Sequence, residues 1–231
     1  MPSSNPSPSH IASLVIKTLI NRGVRHFFIA PGNRSTPLVE AILQEPLAQT
    51  TVCCDERSLS FMALGFSKAT REVPALILTS GSALGNTMPA VMEAFHEKVG
   101  LLILSADRPF ELQNVGANQT THQHHFFAPF AKKSLSLPTF THETPLASIT
   151  TALDQLISTN QNFVSHLNLH FQNPFFRGDE RLDIPKELTT YESKKQIDHE
   201  LLANLFEKAL SFEQGLILVG QTELDLDIHP L

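Results

Sequence analysis

The stretch HFFIAPGNRS, residues 26 to 35, places a short apolar run directly before a polar turn that contains proline and glycine. Similar apolar runs begin near residues 51, 75 and 101, at intervals of about 25 residues, and each gives way to polar residues. Short apolar runs of this kind are typical of strands buried in a parallel sheet. The pattern predicts strands at 26–31, 51–54, 75–79 and 101–106.

Helical patterns separate these strands. Apolar residues recur at three- and four-residue spacing before the first strand and after the second and third, so each segment carries one apolar stripe. The stripes comprise Ile11, Leu14, Val15 and Leu19, then Leu59, Met62, Ala63 and Phe66, then Met88, Val91, Met92 and Phe95. Pro89 lies inside the third pattern and can kink that helix. The alternation predicts an α/β fold, a parallel sheet with helices on both faces.

The second half of the chain is less regular. The predicted elements there are a strand at 134–137, a helix at 146–157, a strand at 164–171, a helix at 201–210 and a strand at 216–219. The charged, proline-containing stretch between the last two helices is typical of a linker. We predict a first domain at 1–175, a linker at 176–198 and the start of a truncated second domain at 199–231.

Composition excludes several classes of protein. Of the 231 residues, 42% are hydrophobic and 17% are charged, a balance typical of a globular protein. A net charge of −6 without a long basic run argues against nucleic acid or an anionic membrane as a partner. We expect neither a signal peptide nor a membrane span. Cys53 and Cys54 are neighbours that cannot easily pair with each other, which favours a reducing cytoplasm.

Ligands of an open parallel sheet bind beyond the carboxyl ends of its strands, so the residues there are the candidates for chemistry. In this chain they lie at 31–35, 55–57, 80–82 and 107–109. They include a carboxylate suited to acid–base work, Glu56, and two arginines, Arg34 and Arg108, suited to carboxylate or phosphate groups.

Each of these motifs also has a purely structural interpretation. Ser35 can cap a helix after a turn, and the acidic pair Asp55 and Glu56 can stabilise a helix N-terminus. The histidines at 122, 124 and 125 lack a zinc-binding spacing, and we interpret them as part of a solvated loop. Cys53 and Cys54 are interpreted as core residues.

Four segments at the predicted strand ends resemble one family closely. They are IAPGNRSTPL at 29–38, DERSLSFMALGFSKAT at 55–70, LTSGSALGNTMPAVMEA at 78–94 and LILSADRPFELQNVGANQT at 102–120. The chain resembles the amino-terminal part of 2-succinyl-5-enolpyruvyl-6-hydroxy-3-cyclohexene-1-carboxylate synthase, a thiamine-diphosphate-dependent transferase of menaquinone and phylloquinone biosynthesis. The resemblance covers about residues 10–175 and, more loosely, the remainder. It implies that the domain at 1–175 is the pyrimidine-binding domain and that 199–231 begins a truncated middle domain.

This resemblance implies roles for particular residues. The family decarboxylates 2-oxoglutarate and adds the succinyl unit to isochorismate. Glu56 matches the catalytic glutamate that hydrogen-bonds the aminopyrimidine ring of the cofactor, and its place after an apolar strand predicts partial desolvation. The other implied cofactor contacts are Pro31, Gly81, Asn118 and Gln119, and the implied substrate contacts are Asn33, Arg34, Arg108 and Gln119. The chain departs from the family at Asn33, where Ser is common, and at His170 and Asn173.

The resemblance also implies a missing part. Family members hold the diphosphate through Mg²⁺ in a carboxyl-terminal domain, and the string Gly178-Asp179-Glu180 is not the motif that does so. We therefore expect the metal site to lie outside this chain, in the diphosphate-binding domain of another chain. The resemblance implies a homodimer or homotetramer, and the chain alone is expected to be inactive.

Two alternatives remain open from the sequence. The chain could be a non-catalytic remnant that acts only as a folding and dimerisation module. It could also be one subunit of a split thiamine-diphosphate decarboxylase. The runs ADRP and GANQ count against a simple decarboxylase, which has no second substrate to bind.

Overall fold

A computed structural model of the protein describes residues 7–139, 145–157, 162–175 and 198–215. The chain divides into two compact units, Met1–Glu192 and Ser193–Leu231. The predicted strand at 216–219 and the predicted linker, apart from residue 198, lie outside the described residues. The proposed domain boundaries therefore stay predictions.

The first unit is built on a single six-stranded sheet in which every strand pairing is parallel. Its strands are β1 (His26–Ile29), β2 (Gln49–Val52), β3 (Ala75–Leu78), β4 (Leu101–Asp107), β5 (Ala131–Leu137) and β6 (Val164–His170). Their order across the sheet is β2-β1-β3-β4-β6-β5. The six predicted strands that fall within the described residues are confirmed, with β1 ending earlier, β5 starting earlier and β2 both starting and ending earlier than the apolar runs suggested.

Helices cover both faces of this sheet, as the α/β prediction required. They are α1 (Pro8–Asn21), α2 (Thr36–Leu43), α3 (Glu56–Thr70), α4 (Ser82–His96) and α5 (Leu146–Ile157), while α6 (His199–Leu210) belongs to the second unit. Side chains of α1, α2 and α5 share one apolar cluster, and those of α3 and α4 share the other. Successive side chains of a strand point to opposite faces, so Phe27 joins the first cluster and Phe28 the second. Helix α4 continues on both sides of Pro89.

The interpretation of Cys53 and Cys54 as core residues is wrong for Cys54, which is exposed. Cys53 is partly buried and packs against the second apolar cluster. The reason is topological, because β2 is an outermost strand that ends at Val52, which is itself 60% exposed. An apolar run at a sheet edge has no neighbour on one side to bury it.

The described part of the second unit is a single helix with its cap. The side chain of Asp198 accepts a hydrogen bond from the backbone N–H of Leu201 at 2.9 Å, which satisfies one free donor at the start of α6. Among the described residues of the whole chain, no helix has the length and apolar character needed to cross a membrane.

Candidate functional site

The sheet order brings three of the predicted strand ends together. Strands β1, β3 and β4 are consecutive neighbours, and they are followed by the segments that carry Arg34, Gly81 and Arg108. Glu56 follows β2, on the other side of β1. Because all strands are parallel, these ends lie along one edge of the sheet, where ligands of such folds bind.

Arg108 ties two of these ends to a following loop. Its Nη1 atom donates to the hydroxyl oxygen of Ser80 and to the backbone carbonyl of Gln119, both at 2.6 Å. The side-chain amide of Gln119 in turn donates to the carbonyl of Ser80 at 2.8 Å. Arg108 is 9% exposed, so its charge sits at the margin of the core. The structure thus brings the predicted residues Arg108 and Gln119 into direct contact.

Arg34 is held by the segment that follows β6. Its Nη1 atom donates to the carbonyl of Phe171 at 2.6 Å, and its guanidinium lies 5.3 Å from the ring centroid of Phe175. Burial lowers the pKa of Arg34, the nearby charge of Arg108 lowers it further, and the carboxylate of Asp107 acts in the opposite direction. In the described ranges neither guanidinium lies within 4.0 Å of a carboxylate oxygen. Two adjacent cations without an ion-pair partner favour an anionic ligand.

Two glycines lie so close to neighbouring side chains that a Cβ atom at either position would collide with them. A Cβ atom on Gly32 would collide with the Cβ of Thr79, and one on Gly81 would lie 2.9 Å from the Cγ of Gln119. Gly81 also has a φ of 86°, which a residue with a side chain rarely adopts. The two turns that follow β1 and β3 therefore require glycine for packing, and the one at Gly81 requires it for backbone conformation as well.

We expect Gly32→Ala to lower the free energy of unfolding by at least about 2 kcal/mol, because the Cβ of Thr79 cannot rotate out of the way. Gly65→Ala is the matched control, since a Cβ there meets nothing within 4 Å and Gly65 lies inside helix α3. That control should gain about 0.5 to 1 kcal/mol. Urea unfolding of both variants measures the difference, and equal stabilities would contradict the predicted collision.

Glu56 is the first residue of helix α3 and is partly buried, as its expected partial desolvation required. The cap of this helix is Asp55, whose side chain accepts from the backbone N–H of Ser58 at 2.7 Å and whose pKa is lowered by hydrogen bonds from Ser58. The carboxylate of Glu56 accepts a hydrogen bond at Oε2 from the side-chain amide of Asn86 at 2.9 Å. The helix-capping interpretation is thus confirmed for Asp55, while Glu56 remains available for a further contact.

Asn86 was not singled out from the sequence. It lies in helix α4, which begins directly after Gly81, so it links the carboxylate of Glu56 to the turn at the end of β3. The only sequence feature that pointed to Asn86 was its place at the end of the segment LTSGSALGN.

The remaining predicted residues lie at the surface. Pro31, Asn33 and Asn118 are exposed, and the carbonyls of Asn33 and Asn118 accept hydrogen bonds from nearby threonine hydroxyls. Ser35 precedes helix α2, but its hydroxyl donates to the carbonyl of Gly32 at 2.9 Å instead of accepting from the helix. Ser35 therefore stabilises the turn and does not cap the helix with its side chain.

Beneath the site lies a buried network of polar side chains that the sequence analysis missed. Its members, each at most 1% exposed, are Ser105, Asp107, Gln123, His166 and Asn168. The network joins the loop after Arg108 to strands β4 and β6. A sequence signal existed, because β6 reads VSHLNLH and thus alternates polar with apolar residues although it is wholly buried.

His166 is the neutral member of this network. The hydroxyl of Ser105 donates to Oδ1 of Asn168 at 2.7 Å, so the Nε2–H of His166, also at 2.7 Å, donates to the oxygen of Ser105. Burial lowers the pKa of His166 to about 3, the charge of Asp107 opposes this, and the nearby His125 and His124 add to it. Protonation of His166 therefore disfavours the folded state.

We expect the burial of His166 to lower the free energy of unfolding as the pH falls. His166 has an ordinary pKa near 6.5 when unfolded and about 3 when folded, so only the unfolded state takes up a proton between these values. The stability that neutral His166 contributes is complete above pH 6.5 and is lost as the pH falls towards 3. At about pH 4.5 the protein should be about 2 to 3 kcal/mol less stable than at neutral pH from this group alone.

Urea unfolding at several pH values tests this, with His166→Gln as the comparison because glutamine keeps a hydrogen-bonding amide but cannot be protonated. The variant should show a flatter dependence of stability on pH in this range. Parallel curves for the two proteins would assign the acid sensitivity to other groups.

His170 anchors the loop after Arg108, and it is one of the positions at which the chain departs from the family that it resembles. It donates from Nδ1 to the carbonyl of Leu137 at 2.8 Å, so its Nε2 accepts from the amide of Gln113 at 3.1 Å. The ring of Phe110 stacks on His170, with the ring centroids 5.1 Å apart.

The histidines of the 122–125 segment form no such anchor. His124 and His125 contact each other edge to face, and within the described residues no group of three or more potential ligands could hold a metal ion.

Comparison with known proteins agrees with this geometry. Residues 9–129, more than half of the chain, match the family described as thiamine pyrophosphate enzyme, N-terminal TPP binding domain. The matched region ends after the candidate site residues, from Pro31 to Gln119, and includes Gln123 of the buried network.

Individual relatives are more specific. The chain is similar to the 2-succinyl-5-enolpyruvyl-6-hydroxy-3-cyclohexene-1-carboxylate synthase of Chlorobium chlorochromatii, with 45% identity over 167 residues that cover 71% of this chain and 29% of the relative. It is similar to the synthase of the same name from Syntrophus aciditrophicus, with 36% identity over 228 residues that cover 92% of this chain and 39% of the relative. The chain thus spans well under half the length of these curated relatives. It belongs to the family of thiamine pyrophosphate enzymes and carries their N-terminal TPP-binding domain.

Proposed function

We propose that this chain is the N-terminal part of a thiamine-diphosphate-dependent synthase that decarboxylates 2-oxoglutarate and adds the succinyl unit to isochorismate. The observation that carries the proposal is the pair of arginines, Arg34 and Arg108, whose charges act on each other and whose guanidinium groups have no carboxylate oxygen within 4.0 Å in the described part of the chain. Both proposed substrates are carboxylates, and a guanidinium binds a carboxylate through two parallel hydrogen bonds. The names of the relatives support the same assignment.

The residues present fit the pyrimidine end of the cofactor. Glu56 offers a carboxylate oxygen beyond the one that Asn86 binds, at the edge of the sheet where ligands of such folds bind. When bound, thiamine diphosphate supplies the carbanion chemistry of decarboxylation and carbon–carbon bond formation. Glu56 would hold the ring by a hydrogen bond and keep a proton between its carboxylate and a ring nitrogen, which is the part of the chemistry that this chain performs.

We assign the substrate contacts to the residues around the two arginines. Arg108 and Arg34 would each take a substrate carboxylate, while Asn33 and Gln119 would supply further hydrogen bonds. Pro31, Gly81 and Asn118 would contact the cofactor. At position 33 this chain has Asn where the family commonly has Ser, which changes the reach of one such contact.

The described residues do not fit the metal end of the cofactor. Mg²⁺ takes oxygen ligands, and within the described ranges no cluster of carboxylates and histidines could hold a metal ion. We propose that the diphosphate-binding domain of another chain holds Mg²⁺ and closes the site, in a homodimer or homotetramer. Exposed apolar side chains on the helices next to Glu56 support association there; they are Phe61, Met62, Met92 and Phe95.

A cytoplasmic location completes the proposal. Both cysteines, Cys53 and Cys54, are free, and Cys54 is exposed, which suits a reducing compartment.

A chimera tests the proposed function. Residues 10–175 replace the matching part of the Chlorobium chlorochromatii synthase, to which the chain is 45% identical over 167 residues. We expect the chimera to consume 2-oxoglutarate and isochorismate together in the presence of thiamine diphosphate and Mg²⁺, while the 231-residue chain alone shows no turnover. Consumption of 2-oxoglutarate without isochorismate would favour a simple decarboxylase. A folded, assembled chimera that consumes neither would leave the chain as a folding and dimerisation module.

A further inference from the structure

The buried side chain of Gln123 has a single possible orientation. Its Oε1 accepts from the backbone N–H of Gly81 at 2.9 Å, and its Nε2 donates to the carbonyl of Ala106 at 3.2 Å and to Oδ1 of Asn168 at 2.9 Å. A backbone N–H can only donate and a carbonyl can only accept, so the two ends of the amide cannot be exchanged. Gln123 is 1% exposed, and solvent therefore cannot replace any of these partners.

The same hydrogen bonds continue to Arg108. The amide of Asn168 donates from Nδ2 to Oδ2 of Asp107 at 2.8 Å, and Oδ1 of Asp107 accepts from the backbone N–H of Arg108 at 2.7 Å. Asn168 and Asp107 are each 1% exposed. Buried hydrogen bonds of this kind reinforce one another, and the loss of one partner carries the full cost of an unsatisfied group.

These bonds close into a ring around the site. Arg108 also donates to the hydroxyl of Ser80, the residue before Gly81, so the chain of contacts returns to its starting point. Gly81 immediately precedes helix α4, and α4 carries the Asn86 that orients Glu56. A displacement of Gln123 would therefore be transmitted through Asn168 and Asp107 to Arg108. It would also be transmitted through Gly81 and helix α4 to Glu56.

We propose that Gln123 is a positioning residue that sets the Gly81 turn and Arg108 together, and thereby couples the cofactor side of the site to its substrate side. The assignment of these two sides rests on the proposed function. Gln123 itself touches neither ligand, because its amide is fully engaged by Gly81, Ala106 and Asn168.

Hydrogen exchange at the Gly81 and Arg108 amides tests the coupling in the 231-residue chain itself. Gln123→Glu keeps the acceptor for Gly81 but places oxygen against Ala106 and Asn168, and Gln123→Met keeps the length without a charge. Asp154→Asn is the control, because Asp154 is 3% exposed and pairs with Arg22 at 2.7 Å, apart from the network. The control weakens the fold without altering the ring of contacts.

We expect Gln123→Met to lower the protection of the Gly81 and Arg108 amides by about ten-fold or more relative to the control, the effect of losing one buried hydrogen bond, and Gln123→Glu to do the same at Arg108. Unchanged protection, or a uniform loss across all amides as in Asp154→Asn, would overturn the proposal. If Gln123→Glu fails to fold, Gln123→Met decides the outcome alone. The measurement needs no turnover, so an inactive chimera would refute the proposed function and leave this inference standing.

Turnover in the chimera adds a second criterion. Gln123→Met should raise the half-saturating concentration of thiamine diphosphate and the KM for 2-oxoglutarate together. A change in only one of the two constants for Gln123→Met would overturn the coupling.

Discussion

Glu56→Gln in the chimeric synthase should lower turnover at least about 100-fold, the usual consequence of removing a positioned proton partner. Glutamine has the same length and can still accept the hydrogen bond from Asn86, so the geometry around helix α3 should persist. What is lost is the ability to hold a proton against the cofactor ring. The effect should therefore appear in kcat more than in the KM for either substrate.

The matched control for this substitution is Glu40→Gln on helix α2. It makes the same chemical change at a carboxyl group whose pKa burial raises, but outside the candidate site. Its rate should stay within about two-fold of the unsubstituted chimera, because it removes no group from the reaction. Steady-state rates of both variants measure the contrast, and a near-normal rate for Glu56→Gln would remove Glu56 from the mechanism.

Arg108→Ala should raise the KM for 2-oxoglutarate by about ten- to 100-fold, the value of a lost hydrogen bond to a charged group. The structure adds a cost in stability, since the hydroxyl of Ser80 and the carbonyl of Gln119 lose their donor. Two such groups left unpaired should destabilise the fold by about 2 to 4 kcal/mol. Thermal melting and steady-state kinetics of the same variant separate the two effects.

Arg108→Lys distinguishes charge from geometry. Lysine keeps the positive charge but lacks the planar fork, so it should recover part of the stability and less of the substrate affinity. If Arg108→Ala lowers the melting temperature and leaves the KM unchanged, Arg108 is a structural residue and the carboxylate site must be assigned to Arg34 and its neighbours.

The centre of the fold was predictable because strands β1, β3 and β4 are short and mainly apolar. The runs at 26–31, 75–79 and 101–106 became the central strands β1, β3 and β4, where burial on both faces demands apolar residues. The run at 51–54 shows the limit of the rule. Its apolar residues lie at the edge of the sheet, and sequence pattern alone does not tell an edge strand from a central one.

The candidate site was predictable only in part, because the resemblance identifies side chains at the surface of the site and says nothing of what supports them. Gln123 and Asn168 are 45 residues apart in the chain and bond at 2.9 Å. No spacing rule connects such a pair, since their contact depends on β4 and β6 being neighbours in the sheet. Asn86 escaped notice for the same reason, because its partner Glu56 lies 30 residues away.

The position of β2 at the sheet edge has a consequence for how the site can change. Glu56 follows β2 and Arg108 follows β4, with β1 and β3 between them. Neighbouring strands are spaced by about 4.8 Å, so the two strand ends are about 14 Å apart, beyond the range in which effects on stability usually interact. Departure from additivity in a double-mutant cycle of the two positions would therefore measure coupling carried by the contacts through Ser80, Gly81 and Asn86, since the two residues are too far apart to couple directly.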